Sequence, residues 1–301
     1  MLNYKAQQLI RDPSVDQIIR IALEEDFGNH GDVTARITPE DCRAQAVIVA
    51  REDGVISGVQ IAKEVFRRVD GSLKFSPNVD DGDRLKKGDV IASIAGWARS
   101  ILAGERIALN FLQRLSGIAT LTQTFVDLCE GTRAEILDTR KTTPGWRVLS
   151  KYAVSCGGGT NHRMGLYDQV LIKDNHLALM GGEVGVQEAV KLAREKAPKG
   201  TLIEIEVTTL DGALSAAAAK ADIVLLDNMG VEDLTKTVAA VEEKCKKEAL
   251  EKPKLEASGG INLDTVANVA KTGVDRISVG ALTHSARAMD IALDMEVIPQ
   301  D

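Results

Sequence analysis

The chain has 301 residues, enough for about two domains at ~150 residues each, and its 44% hydrophobic and 27% charged residues are an ordinary globular mix. A formal net charge of −7 and only 3% aromatics exclude the basic, stacking-rich surface that nucleic-acid binding requires. No apolar run nears the ~20 residues of a membrane helix, the first residues lack a secretory apolar core, and the four scattered cysteines have no metal or redox spacing, so a cytoplasmic protein with reduced thiols and no membrane partner is expected.

The first predicted element is a helix over 14–25. Val15, Ile18, Ile19, Ala22 and Leu23 share one face, and Ser14 serves as the N-cap. A glycine-punctuated turn leads to a strand at 44–50, a second at 54–58, a helix over 59–69, a short strand at 73–75 and another at 90–95. Strands and helices mixed without fixed alternation suggest an α/β sandwich. A long helix over about 103–130 then joins two domains, with Ser116-Gly117 as a place for a kink.

After Gly131 the pattern changes. Apolar strands at 135–138, 169–173, 202–207, 222–227, 254–257 and 276–279 alternate with helices at 145–155, 184–195, 210–219, 231–248, 262–272 and 285–294. Such alternation predicts parallel strands with right-handed crossovers. Six strands are fewer than the eight of a closed α/β barrel. The charged run at 244–254 reads as a solvated helix end and loop.

Each of these six strands ends in, or runs into, charged or phosphate-compatible residues, which is where parallel barrels place their active sites. Thr139-Arg140-Lys141 follows the first; His162 and Arg163 precede the second, which ends at Lys173. The third carries Glu204 and Glu206 on one face, and the fourth ends at Asp227-Asn228. Ser258-Gly259-Gly260 follows the fifth, and Gly280 and His284 follow the sixth. Arg140, Lys141, Arg163 and Lys173, with His162, form a cationic cluster in a chain of net negative charge, which points to an anionic ligand. Glu206 and Asp227 suit Mg²⁺ held jointly with substrate phosphates, or else pair with Lys173 and Lys141. The glycines of SGGI and SVGALTH are phosphate candidates through backbone amides at helix N-termini. A Schiff-base lysine at position 173 is the other enzymatic reading; so many neighbouring cations speak against it. His30 and His176 have no metal-ligand partners at suitable spacing and read as structural.

The blocks DTRKTTPGWRVLSKYAV, GGGTNHRMGLYDQVLIKDNH, IEIEV, LLDNM, EASGGI and ISVGALTH, with EEDFGNHGDVTARI and GERIALNFLQRLSGIAT before them, resemble the quinolinate phosphoribosyltransferase family in order over nearly the whole chain. The resemblance implies an N-terminal α/β sandwich over 1–115, onto which the tail 286–301 packs, and an incomplete, seven-stranded α/β barrel over 116–285. It implies reaction of quinolinate with phosphoribosyl pyrophosphate, with Mg²⁺, to nicotinate mononucleotide, pyrophosphate and CO₂. It further implies a homodimer, or a hexamer built of dimers, with a shared active site. Carried over by position, Arg140, His162 and Arg163 would bind the quinolinate carboxylates, joined by Arg106 of a second subunit. Lys173 would lie between the two substrates. Lys141, Glu206 and Asp227 would address ribose, pyrophosphate and Mg²⁺. Ser258, Gly259, Gly260, Gly280 and His284 would hold phosphate.

Overall fold

The structure, a computed structural model, describes residues 6–180 and 185–298. Helices α1 (Ala6–Leu9) and α2 (Pro13–Phe27) come first. They are followed by β1 (Arg43–Ala50), β2 (Gly54–Val55), α3 (Val59–Val69), β3 (Lys74–Pro77), β4 (Arg84–Leu85), β5 (Val90–Trp97) and α4 (Ala98–Leu128). The rest alternates: β6 (Glu135–Leu137), α5 (Arg147–Cys156), β7 (Val170–Ile172), α6 (Asp174–Ala178), α7 (Val186–Lys196), β8 (Ile203–Val207), α8 (Leu210–Ala218), β9 (Ile223–Asp227), α9 (Val231–Lys247), β10 (Lys254–Ser258), α10 (Val266–Ala270), β11 (Arg276–Ser278), α11 (Ala281–His284) and β12 (Ile291–Val297). Among the described residues no helix is long and apolar enough to cross a membrane.

The chain divides into two compact units. One comprises 1–123, 142–158 and 282–301; the other comprises 124–141 and 159–281. The first unit holds an antiparallel sheet in the order β12-β1-β5-β3 and a two-stranded pair, β2 with β4. Helix α2 is capped by Asp12, whose Oδ1 accepts the Ser14 N–H at 2.9 Å, and Pro13 takes the first helical position, where its missing N–H costs nothing. The cap is therefore two residues earlier than the hydroxyl pattern suggested. Helix α4 runs unbroken through Ser116-Gly117. Gly117 answers a different need, because a Cβ there would collide with the Arg287 carbonyl oxygen.

The helix expected over 285–294 is instead a loop and strand β12. Ile291 and Leu293 mark a period of two as readily as a helical one, and pairing with β1 from Ala44–Val297 to Ala50–Ile291 decides the matter. The last three residues of the 286–301 tail, and the first residue of the helix expected over 184–195, lie outside the described residues.

The second unit is the incomplete α/β barrel. Its six parallel strands stand in the order β6-β11-β10-β9-β8-β7. The place of a seventh strand is marked by a single parallel bridge between Leu137 and Thr160. Thr160 N–H donates to the Ile136 carbonyl at 2.8 Å and the Asp138 N–H to the Thr160 carbonyl at 3.3 Å. The described sheet has six strands, matching the six apolar runs, and the seventh that the resemblance implied is reduced to this one bridged residue.

Candidate active site

Side chains alternate across each barrel strand. Ile203, Ile205, Val207, Val224, Leu226, Leu255 and Ala257 form one buried apolar face. The other face is polar. The register places Glu206, Leu225, Glu256, Arg276 and Glu135 in one row across five strands, and Asp227 beside Ser258 in the next row toward the carboxyl ends. Depth along this face separates residues that the alternation alone made equivalent. Glu204 is fully buried, whereas Glu206 and Asp227, nearer the strand ends, are half-buried.

At the open end of the face, Lys173 Nζ meets Glu206 Oε2 at 2.6 Å. Asp227 Oδ2 accepts from the Asn228 amide at 2.7 Å, and the Asn228 backbone N–H donates to the Ser258 carbonyl at 2.9 Å. Asn228 has φ +54 and Gly259 φ +93. A Cβ on Gly259 would overlap the Asn228 side chain, so only glycine allows the turns after β9 and β10 to approach so closely. Gly260 is also left-handed, at φ +62. Helix α10 begins only at Val266, so the two glycines form a free-standing turn; the helix N-terminus expected directly after them is not there. Gly280 does immediately precede α11.

Below this rim, the segment 160–163 is pinned to the end of β6. The fully buried Asp138 accepts the Asn161 amide at 2.7 Å and the His162 backbone N–H at 3.0 Å. Arg163 is only 8% exposed, and its Nη1 donates to the Gln169 carbonyl at 3.0 Å. Burial, and then the positive charge of Arg140, push the Arg163 pKa down. A guanidinium held close to a second positive charge forms a site that an anion relieves.

The imidazole of His162 faces inward. Its Nε2 lies 3.1 Å from Glu204 Oε2 and 3.4 Å from Glu256 Oε1, both carboxylates being fully buried. Burial alone would depress its pKa; the neighbouring Glu204 and Glu256 carboxylates override that and raise it to about 10. Burial and the neighbouring Glu256 charge in turn raise the Glu204 carboxyl, against His162 and Arg276. The Arg163 peptide N–H approaches His162 Nδ1 at 2.7 Å, a contact that requires a lone pair there. The carboxylates favour the imidazolium and the peptide favours the neutral ring. In both states Nε2 carries a proton directed at the carboxylates.

Of the remaining expected residues, Arg140 and Lys141 are exposed beyond β6, and the Lys141 N–H donates to Thr139 Oγ1 at 3.0 Å. Arg106 is exposed on α4 and His284 is the exposed last residue of α11, its Nδ1 2.6 Å from Ser285 Oγ; both belong to the first unit. His176 is structural: its Nδ1 accepts the Lys173 N–H at 2.9 Å at the start of α6. Reading the sequence missed Asp138, Gln169 and Glu256. All three stand inside or beside motifs that drew attention. The signal that could have found them is a charged or amide residue inside a strand whose neighbours are all apolar.

The donor set fits a hard cation. Glu206 and Asp227 stand at the ends of adjacent strands, each with one carboxylate oxygen hydrogen-bonded to a neighbour and the other without a hydrogen bond among the described residues, and oxygen-only ligation with water and phosphate completing the sphere is what Mg²⁺ takes.

The comparisons with known proteins agree with this arrangement. Residues 32–116 match the family description "Quinolinate phosphoribosyl transferase, N-terminal domain", and residues 118–294 its "C-terminal domain". The chain is 41% identical over 290 residues to quinolinate phosphoribosyltransferase [decarboxylating] 1b of Nicotiana tabacum, covering 93% of this chain and 81% of the tobacco protein. It is 42% identical over 271 residues to a probable nicotinate-nucleotide pyrophosphorylase [carboxylating] of Bacillus subtilis, covering 90% of each. The solved nicotinate-nucleotide pyrophosphorylase of Francisella tularensis superposes with a TM-score of 0.87 at 40% identity, over 94% of this chain and 96% of that one. The Ehrlichia chaffeensis structure gives 0.85 at 39%, over 93% and 98%. Matches of this extent carry both units and every strand end described above, and the chain belongs to the quinolinate phosphoribosyltransferase family.

Proposed function

We propose that the polar face and rim of the barrel hold quinolinate beside phosphoribosyl pyrophosphate, with each residue class at the site in a distinct role. The chain is a pentosyltransferase that converts these two substrates to nicotinate mononucleotide, pyrophosphate and CO₂. The observation that carries the assignment of roles is the buried Arg163 facing the charge of Arg140. Quinolinate is a dianion and its co-substrate carries more negative charge still. Fixed guanidinium groups in a poorly hydrated site offset the repulsion between them before the reaction begins.

Arg140, His162 and Arg163 bind the dicarboxylate end. Lys173 lies between the substrates, tied to Glu206 until they arrive. Lys141 meets the pyrophosphate, and Ser258, Gly259, Gly260 and Gly280, with His284, receive the phosphate. Departure of pyrophosphate with the C1–O bonding pair leaves an oxocarbenium-like ribose, which the Glu206 or Asp227 carboxylate stabilises. The pyridine nitrogen lone pair then forms the bond to C1. The pyridinium so produced accepts the electron pair of the adjacent carboxylate as CO₂ departs, and a proton fills that ring position. No strong protein base is needed; the residues position and neutralise. Glu206 and Asp227 are the residues that would hold Mg²⁺, which when bound neutralises pyrophosphate charge. Arg106 completes the site of a second subunit in a dimer or a hexamer of dimers. A cytoplasmic location suits a chain whose four cysteines are all free.

The test is release of labelled CO₂ from carboxyl-labelled quinolinate with phosphoribosyl pyrophosphate, with and without Mg²⁺. Arg163→Ala and Lys141→Ala should each lower turnover by about 10²-fold or more, the scale for removing a preorganised charge contact. Near-normal turnover in either variant overturns that residue's role.

A further inference from the structure

We propose that Glu204 is a positioning residue, which aims Arg163 at the substrate through a closed ring of hydrogen bonds running Glu204–Gln169–Arg163–His162–Glu204. Each link is direct. The Gln169 amide donates to Glu204 Oε2 at 2.5 Å. The main-chain carbonyl of the same Gln169 accepts from Arg163 Nη1 at 3.0 Å. The Arg163 peptide N–H donates to His162 Nδ1 at 2.7 Å, and His162 Nε2 returns to Glu204, hydrogen-bonded to Oε1 at 3.4 Å and 3.1 Å from Oε2. Glu204 is 0% exposed, Arg163 8% and Gln169 9%. The inference rests on the reading that Arg163 binds the dicarboxylate.

The ring holds a side chain that otherwise has many rotamers. A buried arginine with one backbone contact can still swing; here the guanidinium rests on the Gln169 main chain and the peptide N–H on His162, and one buried carboxylate braces both of those residues. Glu256 completes the floor. It is fully buried, and neither of its oxygens has a hydrogen-bond partner among the described residues, yet Oε1 sits 3.4 Å from His162 Nε2 and its register partner is Arg276. It therefore backs the imidazole electrostatically while Glu204 supplies the hydrogen bonds.

A different reading of the same atoms is a transition-metal site, since the ligand atoms of His162, Glu204 and Glu256 all lie within 4.8 Å of one another. The ring speaks against it. A metal on Nε2 requires that nitrogen's lone pair, which moves the proton to Nδ1 and turns it against the Arg163 N–H.

The experiment uses the full-length enzyme and compares Glu204→Gln with Gln169→Met. The glutamine retains volume but offers one acceptor oxygen where two donors converge. The methionine opens the ring on the other side with Glu204 intact. In both, KM for quinolinate should rise about 10-fold or more while KM for phosphoribosyl pyrophosphate stays within about 3-fold; a 10-fold rise corresponds to about 1.4 kcal/mol. Histidine-selective ¹⁵N NMR should show His162 Nε2 carrying a proton in the parent enzyme, the state in which it donates to Glu204. Parallel rises in both KM values, an unchanged quinolinate KM in the folded variants, or an unprotonated or metal-bound His162 Nε2 in the parent overturns the proposal. If Glu204→Gln does not fold, Gln169→Met alone decides. Arg163→Ala run alongside separates the two ideas: an unchanged quinolinate KM there sinks the substrate reading itself.

Discussion

Gly259 shows how a single residue without a side chain sets the approach of two turns at the proposed phosphate end of the site. Its φ of +93 already disfavours any L side chain, and a Cβ would strike Asn228, whose own φ is +54 and whose amide holds Asp227. Gly259→Ala must either push Asn228 out of its turn or distort β10. Strain of this kind costs about 1–3 kcal/mol. The expected result is a KM for phosphoribosyl pyrophosphate raised about 10-fold or more, with a smaller effect on quinolinate; equal effects on both would show a collapse of the whole site instead. The sequence marks Gly259 as a phosphate candidate but ties it to a helix start, whereas α10 begins only at Val266. Glu204 and Glu206 carry the same lesson. Alternation put both on one face, and nothing in IEIEV says that one ends at the rim beside Lys173 and the other at the floor beside His162. Burial depth depends on strands far away in the chain, so it is invisible to a local pattern. Sign and strand-end position, in contrast, are legible, because Lys173 closes an apolar run and Arg140, Lys141 and Arg163 gather beside strand ends in a chain of net negative charge.

Among the elements, those whose period is enforced by a single buried face could be read almost to the residue. Helix α3 begins and ends where its apolar spacing predicts, at Val59 and Val69. Strand β12 failed because its partner, β1, lies some 240 residues earlier, and local spacing cannot register a partner. Electrostatics at the element scale can be tested on α3. Glu64 is the acceptor for Arg67 at 2.7 Å and Arg68 at 2.8 Å, and Arg68 also meets Asp16 of α2 at 2.6 Å. The hydrogen bond from Arg67 does most to lower the Glu64 pKa; burial opposes it, Arg68 adds to it, and the result is about 2. A depressed carboxyl pKa stabilises the fold above the unfolded value near 4.5, and that contribution is lost as pH falls through the folded value. Glu64→Gln should therefore cost about 1 kcal/mol at pH 7, or a Tm drop of roughly 2 °C, since the partner Arg67 is largely exposed. The gap between parent and variant should close between about pH 4.5 and 2. A gap independent of pH would mean that Glu64 acts through packing and not through its charge.

At the scale of the whole molecule, a net charge of −7 coexists with a barrel rim rich in cations. The global charge repels the substrates while the local field attracts them, so the attracting residues must be concentrated and fixed. One barrel supplies Arg140, Lys141, Arg163 and Lys173; the exposed Arg106 of α4 belongs to the other unit. The proposed sharing of a site between subunits gives Arg106 its use, and complementation tests it. Arg106→Ala spoils the cation a chain lends to its neighbour, whereas Lys173→Ala spoils the chain's own barrel. Each variant alone should be nearly inactive. In a mixed dimer one site carries both defects and the other carries neither. After equal mixing and random exchange of subunits, about a quarter of the parent activity should return, because isologous dimers pair at random and half of the mixed dimers' sites are intact. The readout is CO₂ release from quinolinate before and after exchange, with exchange itself followed by a mass tag on one variant. Demonstrated exchange with no recovered activity would place Arg106 within its own chain's site, or outside the chemistry altogether, and would remove the argument for a shared assembly.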